Sequence, residues 1–133
     1  MKNQTSLVVI TILGGAALIA GAFAEDAGEW TAPARAAKKK NPIAADAASI
    51  AKGREVYVKE CVSCHGTAGK GDGPQAKDLE KKPQDLMTAK VLGQSDGALF
   101  WKLTEGRKPM ASYEKFSEGD RWAVINYLRS LKH

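Results

Sequence analysis

The chain has 133 residues, 44% of them apolar and 26% charged, and a net charge of +5. That length suits one domain with accessories and not two domains with separate cores, and the apolar-to-charged balance excludes wholesale disorder. Two cysteines (Cys61, Cys64) and two histidines (His65, His133) exclude a disulfide framework, leave a four-ligand zinc site with nothing to spare, and starve a nucleophilic triad of bases. No Walker-type loop or Rossmann glycine fingerprint is present.

In chain order, Lys2 precedes an apolar stretch from Leu7 to Ala24 that ends Ala22-Phe23-Ala24, followed by Glu25-Asp26. A positive start, an apolar run and an A-x-A site are the parts of a secretory signal, and residues 1–24 are expected to be one. The competing expectation is an uncleaved anchor, with residues 7–24 at the short limit for a bilayer span. Either way the remainder is expected to be periplasmic, or on the extracytoplasmic face of the cytoplasmic membrane. Residues 25–46, rich in Ala, Pro and Lys with Trp30 as the one aromatic, show no lasting period and read as a tether, a surface tail with that aromatic resting on the domain, with a partner-docking arm as the alternative.

From residue 47 to 133 the chain reads as one almost entirely helical domain. The first helix is expected over 47–60, where Ile50, Gly53 and Tyr57 lead to Cys61 at spacings of three and four. The second is expected over 96–105, capped by Ser95 and stopped by Gly106, with Leu99 and Leu103 one turn apart. The third is expected over 118–131, with Ser117 as cap, Asp120 three residues on, and Val124, Tyr127, Leu128 and Leu131 on its apolar face. Residues 67–94 form a long stretch rich in Gly, Lys, Asp and Pro. So long a loop needs something to hold it, and three helices alone make a marginal core.

A large apolar cofactor answers both needs, and Cys61-Val62-Ser63-Cys64-His65 names it. The C-x-x-C-H spacing is that of c-type haem attachment: two thiols on one turn add to the vinyl groups of the porphyrin edge, and the adjacent histidine is held under the iron. A thioredoxin-like reading lacks its βαβ context, and a zinc reading lacks its second pair of ligands.

Residues 47–132 resemble the class I c-type cytochromes, particularly the small bacterial monohaem ones. The resemblance rests on Gly53, Tyr57 and Cys61, on Val124 and Tyr127 within Trp122-Ala123-Val124-Ile125-Asn126-Tyr127-Leu128-Arg129, and on the run from Cys64-His65-Gly66 through Gly71-Asp72-Gly73-Pro74 to Pro83 and Asp85. It implies an all-α fold of three main helices with long loops wrapped around one covalent haem, the N- and C-terminal helices crossing. It also implies that the Pro74 carbonyl accepts from the His65 Nδ1–H, a bond that orients the ring and raises its basicity. Pro74 as a plain turn residue is the alternative.

The sixth iron position has five readings: Met110, Met87, His133, a lysine, or an open site. The resemblance implies Met110, on the segment before the last helix. This sequence departs from the family there, with Pro109 before the methionine and Ala111 after it, where the family usually has Met-Pro. A haem c held by Cys61 and Cys64, with His65 and Met110 as iron ligands, leaves no position for substrate and makes a one-electron carrier between redox proteins or for a membrane electron-transport complex. The alternatives are a five-coordinate haem enzyme or gas-binding protein, and a docked subunit of a membrane oxidoreductase.

Charge adds one expectation. Residues 49–133 carry fifteen Lys/Arg against eleven Asp/Glu, mildly basic with the signs interspersed. No nucleic-acid partner is expected from that pattern, whereas Lys70, Lys77, Lys81, Lys82 and Lys108 could steer an acidic one. Trp101 reads as packing on the second helix, and Tyr113 either as a hydrogen-bond donor to a haem propionate or as a cover on the cofactor's rim.

Overall fold

The computed structural model describes residues 28–132, so the signal or anchor at 1–24 and His133 lie outside it. The helices are α1 (Ala34–Ala37), α2 (Ala47–Glu60), α3 (Val62–His65), α4 (Ala89–Leu92), α5 (Asp96–Glu105) and α6 (Glu118–Ser130), with a 3-10 turn at Ala76–Asp78. Among the described residues there are no strands beyond one isolated bridge, Arg107 with Met110, and no helix is long and apolar enough to cross a membrane. The three expected main helices are α2, α5 and α6. Their starts follow from capping: Asp46, Ser95 and Ser117 accept from the backbone N–H groups of Ser49, Ala98 and Asp120. α5 stops at Gly106, whose φ of 66° a side chain resists.

The core is the crossing of α2 and α6. Tyr57, Trp122 and Ile125 are its most deeply buried side chains, joined by Leu99, Phe100, Leu103, Val124, Tyr127 and Leu128. The helices meet where Gly53 faces α6. A Cβ on Gly53 would stand 1.9 Å from the Ala123 carbonyl oxygen and 2.9 Å from the Tyr127 Cβ, so only glycine permits this approach. The closest backbone is that of Ala123, one residue before the Val124 expected from sequence. One turn on, the Tyr57 and Tyr127 rings lie 5.2 Å apart at 54°, a favourable tilted pair.

Residues 28–46 lie as a strap over α5 and α6, with Trp30 resting against Trp101. The path of the strap is not readable from period, because it has none of its own. It is held by single polar groups and by backbone contact with glycine, which periodicity does not record. Gly97 of α5 lets the strap backbone in: a Cβ there would meet the Ala36 and Lys39 carbonyls at 2.3 and 2.4 Å. Ser95 Oγ donates to the Ala37 carbonyl, and Lys39 Nζ stands 4.7 Å above the Phe100 ring, which stacks on Trp122 at 3.9 Å.

Asn126, 4% exposed, is the hub of the strap. Its Oδ1 accepts from Asn41 Nδ2 at 2.8 Å, while its Nδ2 donates to the carbonyls of Ile43 and Ala44 and to Ser49 Oγ. Asn126→Ala is expected to cost roughly 2–4 kcal/mol, the scale of two or three net hydrogen bonds plus one stranded partner. Chemical denaturation measures that cost. Limited proteolysis should then cut at Lys38–Lys40 in the variant well before the wild type.

Candidate haem-binding site

α2 ends at Glu60, and its cap Cys61 leads directly into the single turn of α3, so one helical turn brings Cys61, Cys64 and His65 together. Cys61 is buried and Cys64 half-buried, and both thiols are free. Burial, reinforced by the Glu60 carboxylate, pushes the Cys61 thiol up to about 12, so it stays protonated.

α3 is too short to satisfy its own carbonyls, and the following loop turns back to do it. Gly66 N–H donates to Val62, Gly71 N–H to His65, Gly73 N–H to Cys64 and Gln75 N–H to Ser63, at 2.8 to 3.1 Å. Gly73 is required because a Cβ would come within 2.4 Å of the Val62 and Ser63 carbonyl oxygens. Tyr57 OH donates to the Gly66 carbonyl at 2.8 Å, tying this wrap to the helix crossing.

The carbonyl facing His65 corrects the expectation. His65 Nδ1 lies 3.2 Å from the carbonyl of Gln84, not that of Pro74. Pro74 is exposed, in the turn that brings Gln75 back to Ser63, and so acts as the turn residue of the alternative reading. The reason is tertiary. Leu86 N–H donates to the Gly69 carbonyl at 2.7 Å, and Gly71 has no Cβ to strike the Pro83 carbonyl, so residues 83–86 press against the wrap and deliver the Gln84 carbonyl. With Nδ1 donating to that carbonyl, the lone pair is left on Nε2, the tautomer a metal ligand needs. Burial lowers the His65 pKa, opposed by the Gln84 bond, so the ring is held neutral.

The long stretch 67–94 is thus organised by the 3-10 turn, by the 69–86 pairing and by α4, which Thr88 caps through Val91 N–H. Sequence reading missed α4 because four residues show no period. The signals available were Thr88 as cap and Val91, which is buried.

Met87 and Met110 are both half-buried against the core cluster. Met87 belongs to the segment that backs His65: its N–H donates to Asp85 Oδ1, and its Cε lies 3.1 Å from where a Gly69 Cβ would be. Met110 sits in a separate segment, a tight turn in which Arg107 and Met110 exchange backbone hydrogen bonds at 3.1 and 2.8 Å. Two bonds from Tyr113 tie that segment to α5 and to the residue before Cys61. Its N–H donates to the Leu103 carbonyl, and its OH donates to the Glu60 carbonyl at 2.9 Å. Burial pushes the Tyr113 hydroxyl up to about 12, so it remains a donor. Of the two roles read for Tyr113, the hydroxyl is thus committed to the backbone beside Cys61.

These residues fit a covalently attached haem. Two free thiols stand on one turn, the adjacent imidazole is neutral with Nε2 unencumbered, and a methionine-bearing segment closes against the same turn. A competing metal cluster is absent among the described residues, which hold no group of three or more His, Cys, Asp or Glu that could bind an ion.

The family model for cytochrome c matches residues 50–132. This chain belongs to the cytochrome c family. A solved chain from the Kuenenia stuttgartiensis reducing HAO-like protein complex is 33% identical, with a TM-score of 0.63 over 69% of this cytochrome. The cytochrome spans about half of that chain, 47%. The c-type cytochrome KustC0563 is 23% identical with a TM-score of 0.51, over 61% of this chain and 98% of its own, a likeness of fold. No curated protein matches. The cytochrome is therefore all-α, and membership of the family implies covalently bound haem c.

Proposed function

We propose that this cytochrome is an extracytoplasmic one-electron carrier with a single haem c, attached through Cys61 and Cys64 and ligated by His65 and Met110. When bound, the haem supplies the Fe(II)/Fe(III) couple. The chain's own residues do the rest. The two thiols would hold the porphyrin edge, the Gln84 carbonyl orients the His65 ring, and the Met110 turn would supply the second iron ligand. The observation that carries this reading is that Met87 and Met110 belong to two different segments. Met87 belongs to the segment whose Gln84 carbonyl faces His65, whereas the segment of Met110 is tied beside Cys61 by the Tyr113 hydroxyl on the Glu60 carbonyl. A thioether there favours Fe(II), raises the potential and leaves no position for substrate.

Lys70, Lys77, Lys81, Lys82 and Lys108 are all exposed, which supports docking to an acidic redox partner. One observation favours a second reading, a haem subunit docked in an oxidoreductase. The 33%-identical solved chain belongs to a complex whose name includes an HAO-like protein. The Leu7–Ala24 segment, kept or cleaved, supports the extracytoplasmic placement.

Two measurements test the proposal. Acid-acetone extraction should leave the haem colour on the protein, and Cys61→Ala with Cys64→Ala should lose it; a wild type bleached by extraction would end the attachment claim. The ferric protein should show the far-red sulfur-to-iron charge-transfer band and the ferrous protein should not bind CO. High-spin ferric features with fast CO binding would instead favour the enzyme or gas-binding reading.

A further inference from the structure

The strap reaches the Met110 turn. Arg107, the residue that exchanges backbone bonds with Met110, donates from its guanidinium Nη1 to the carbonyl of Gly28 at 3.2 Å. Gly28 is held there by its neighbours. Glu29 pairs with Lys90 at 3.0 Å, and the Trp30 ring lies 6.3 Å from Trp101 with Lys102 Nζ 5.5 Å above it. Behind Trp30, Ala32 is buried, α1 packs on α5 through Gly97, and Asn41 is bound to Asn126. The methionine turn therefore hangs between two posts. Tyr113 fastens one end to Glu60 and Leu103, and Arg107 fastens the other to a segment more than seventy residues earlier in the chain.

We propose that Arg107 is the positioning residue for Met110, and that the strap, by holding Gly28 in place, sets how often the Met110 side of the haem opens. This rests on the Met110 ligation proposed above. The reasoning is an equilibrium one. A thioether is a weak ligand whose retention depends on how little freedom its turn has when released. The turn's backbone pair at residues 107 and 110 keeps its shape, and on the Arg107 side it continues from Gly106, whose N–H bonds the Lys102 carbonyl at the end of α5, while the guanidinium bond is the tie that joins it to the strap. Removing the bond adds open states without altering the ligand itself. Because the donor is charged, its loss is expected to raise the open population by about tenfold or more.

The test uses the full-length ferric holoprotein, with imidazole as the entering ligand. Arg107→Ala should bind imidazole at least about tenfold more tightly and should lose the charge-transfer band at lower pH than wild type. Arg107→Lys should recover part of the effect. Trp30→Ala, which leaves residues 107–113 untouched, should shift both readouts in the same direction by loosening Gly28. Lys108→Ala, on the same turn and exposed, removes an equal charge and should change neither readout. If Arg107→Ala does not fold, Arg107→Gln and Trp30→Ala carry the same comparison. A wild type with the band and variants with wild-type imidazole affinity would overturn the strap's role and leave the ligation standing. A wild type without the band that binds CO at once would overturn the ligation and the strap's role with it. Equal effects from Lys108→Ala and Arg107→Ala would assign the shift to charge and overturn the positioning claim.

Discussion

Met110→Ala is expected to keep its haem and change its chemistry. Cys61, Cys64 and His65 are untouched, and the Gln84 carbonyl still faces Nδ1, so attachment and proximal ligation persist. The sulfur that favours Fe(II) is gone. The midpoint potential should therefore fall on the order of 0.1–0.3 V, a fraction of the about 0.8 V that axial ligands span. CO binding and weak peroxidase activity should appear in the variant and not in the wild type. Met87→Ala is the control. Met87 lies against Gly69 behind His65, so its loss should cost packing alone, about 1–3 kcal/mol, with the potential nearly unchanged. Redox titration and CO difference spectra read both variants. If Met87→Ala shifts the potential and Met110→Ala does not, the two methionines have been assigned the wrong way round.

Gly53→Leu is expected to be the most damaging change in the fold. Even its first atom, the Cβ, would stand 1.9 Å from the Ala123 carbonyl oxygen, a backbone atom that cannot swing aside as a flexible side chain would. The helices must separate, and separation breaks the Tyr57–Tyr127 pair and loosens Trp122 and Ile125 behind it. Overpacking commonly costs 1–3 kcal/mol, and a backbone clash at the centre of the core belongs at or above about 3 kcal/mol. Tyr127→Ala attacks the same contact by removal and should cost roughly 3–5 kcal/mol. Denaturant unfolding of the holoprotein measures both. Gly53→Ala should already be severely destabilised, and a near-neutral alanine there would mean that the helices do not meet at Gly53.

Much of this was legible in the residue order, for local reasons. The three main helices announced themselves through period and caps, because Asp46, Ser95 and Ser117 satisfy N–H groups only three residues away. The C-x-x-C-H motif was legible for the same reason: thiol, thiol and imidazole lie within five residues, and one helical turn brings them together whatever the rest of the chain does. The pairing of Gly53 with α6 was readable from glycine and aromatic spacing, to within one residue of the closest contact.

What only the tertiary structure decided is where distant single groups land. A hydrogen-bond acceptor carries no periodicity, so nothing in the order of residues distinguished the carbonyl of Pro74 from that of Gln84. The choice came from the close packing of residues 83–86 on Gly69 and Gly71. The strap was illegible for the same physical reason. Its hold consists of isolated long-range bonds, Asn41 to Asn126 and Arg107 to Gly28, and of backbone entering at Gly97. Helical period reports which face of an element is apolar. It cannot report which irregular segment will cover that face, because that depends on a fit that exists only once both partners are folded.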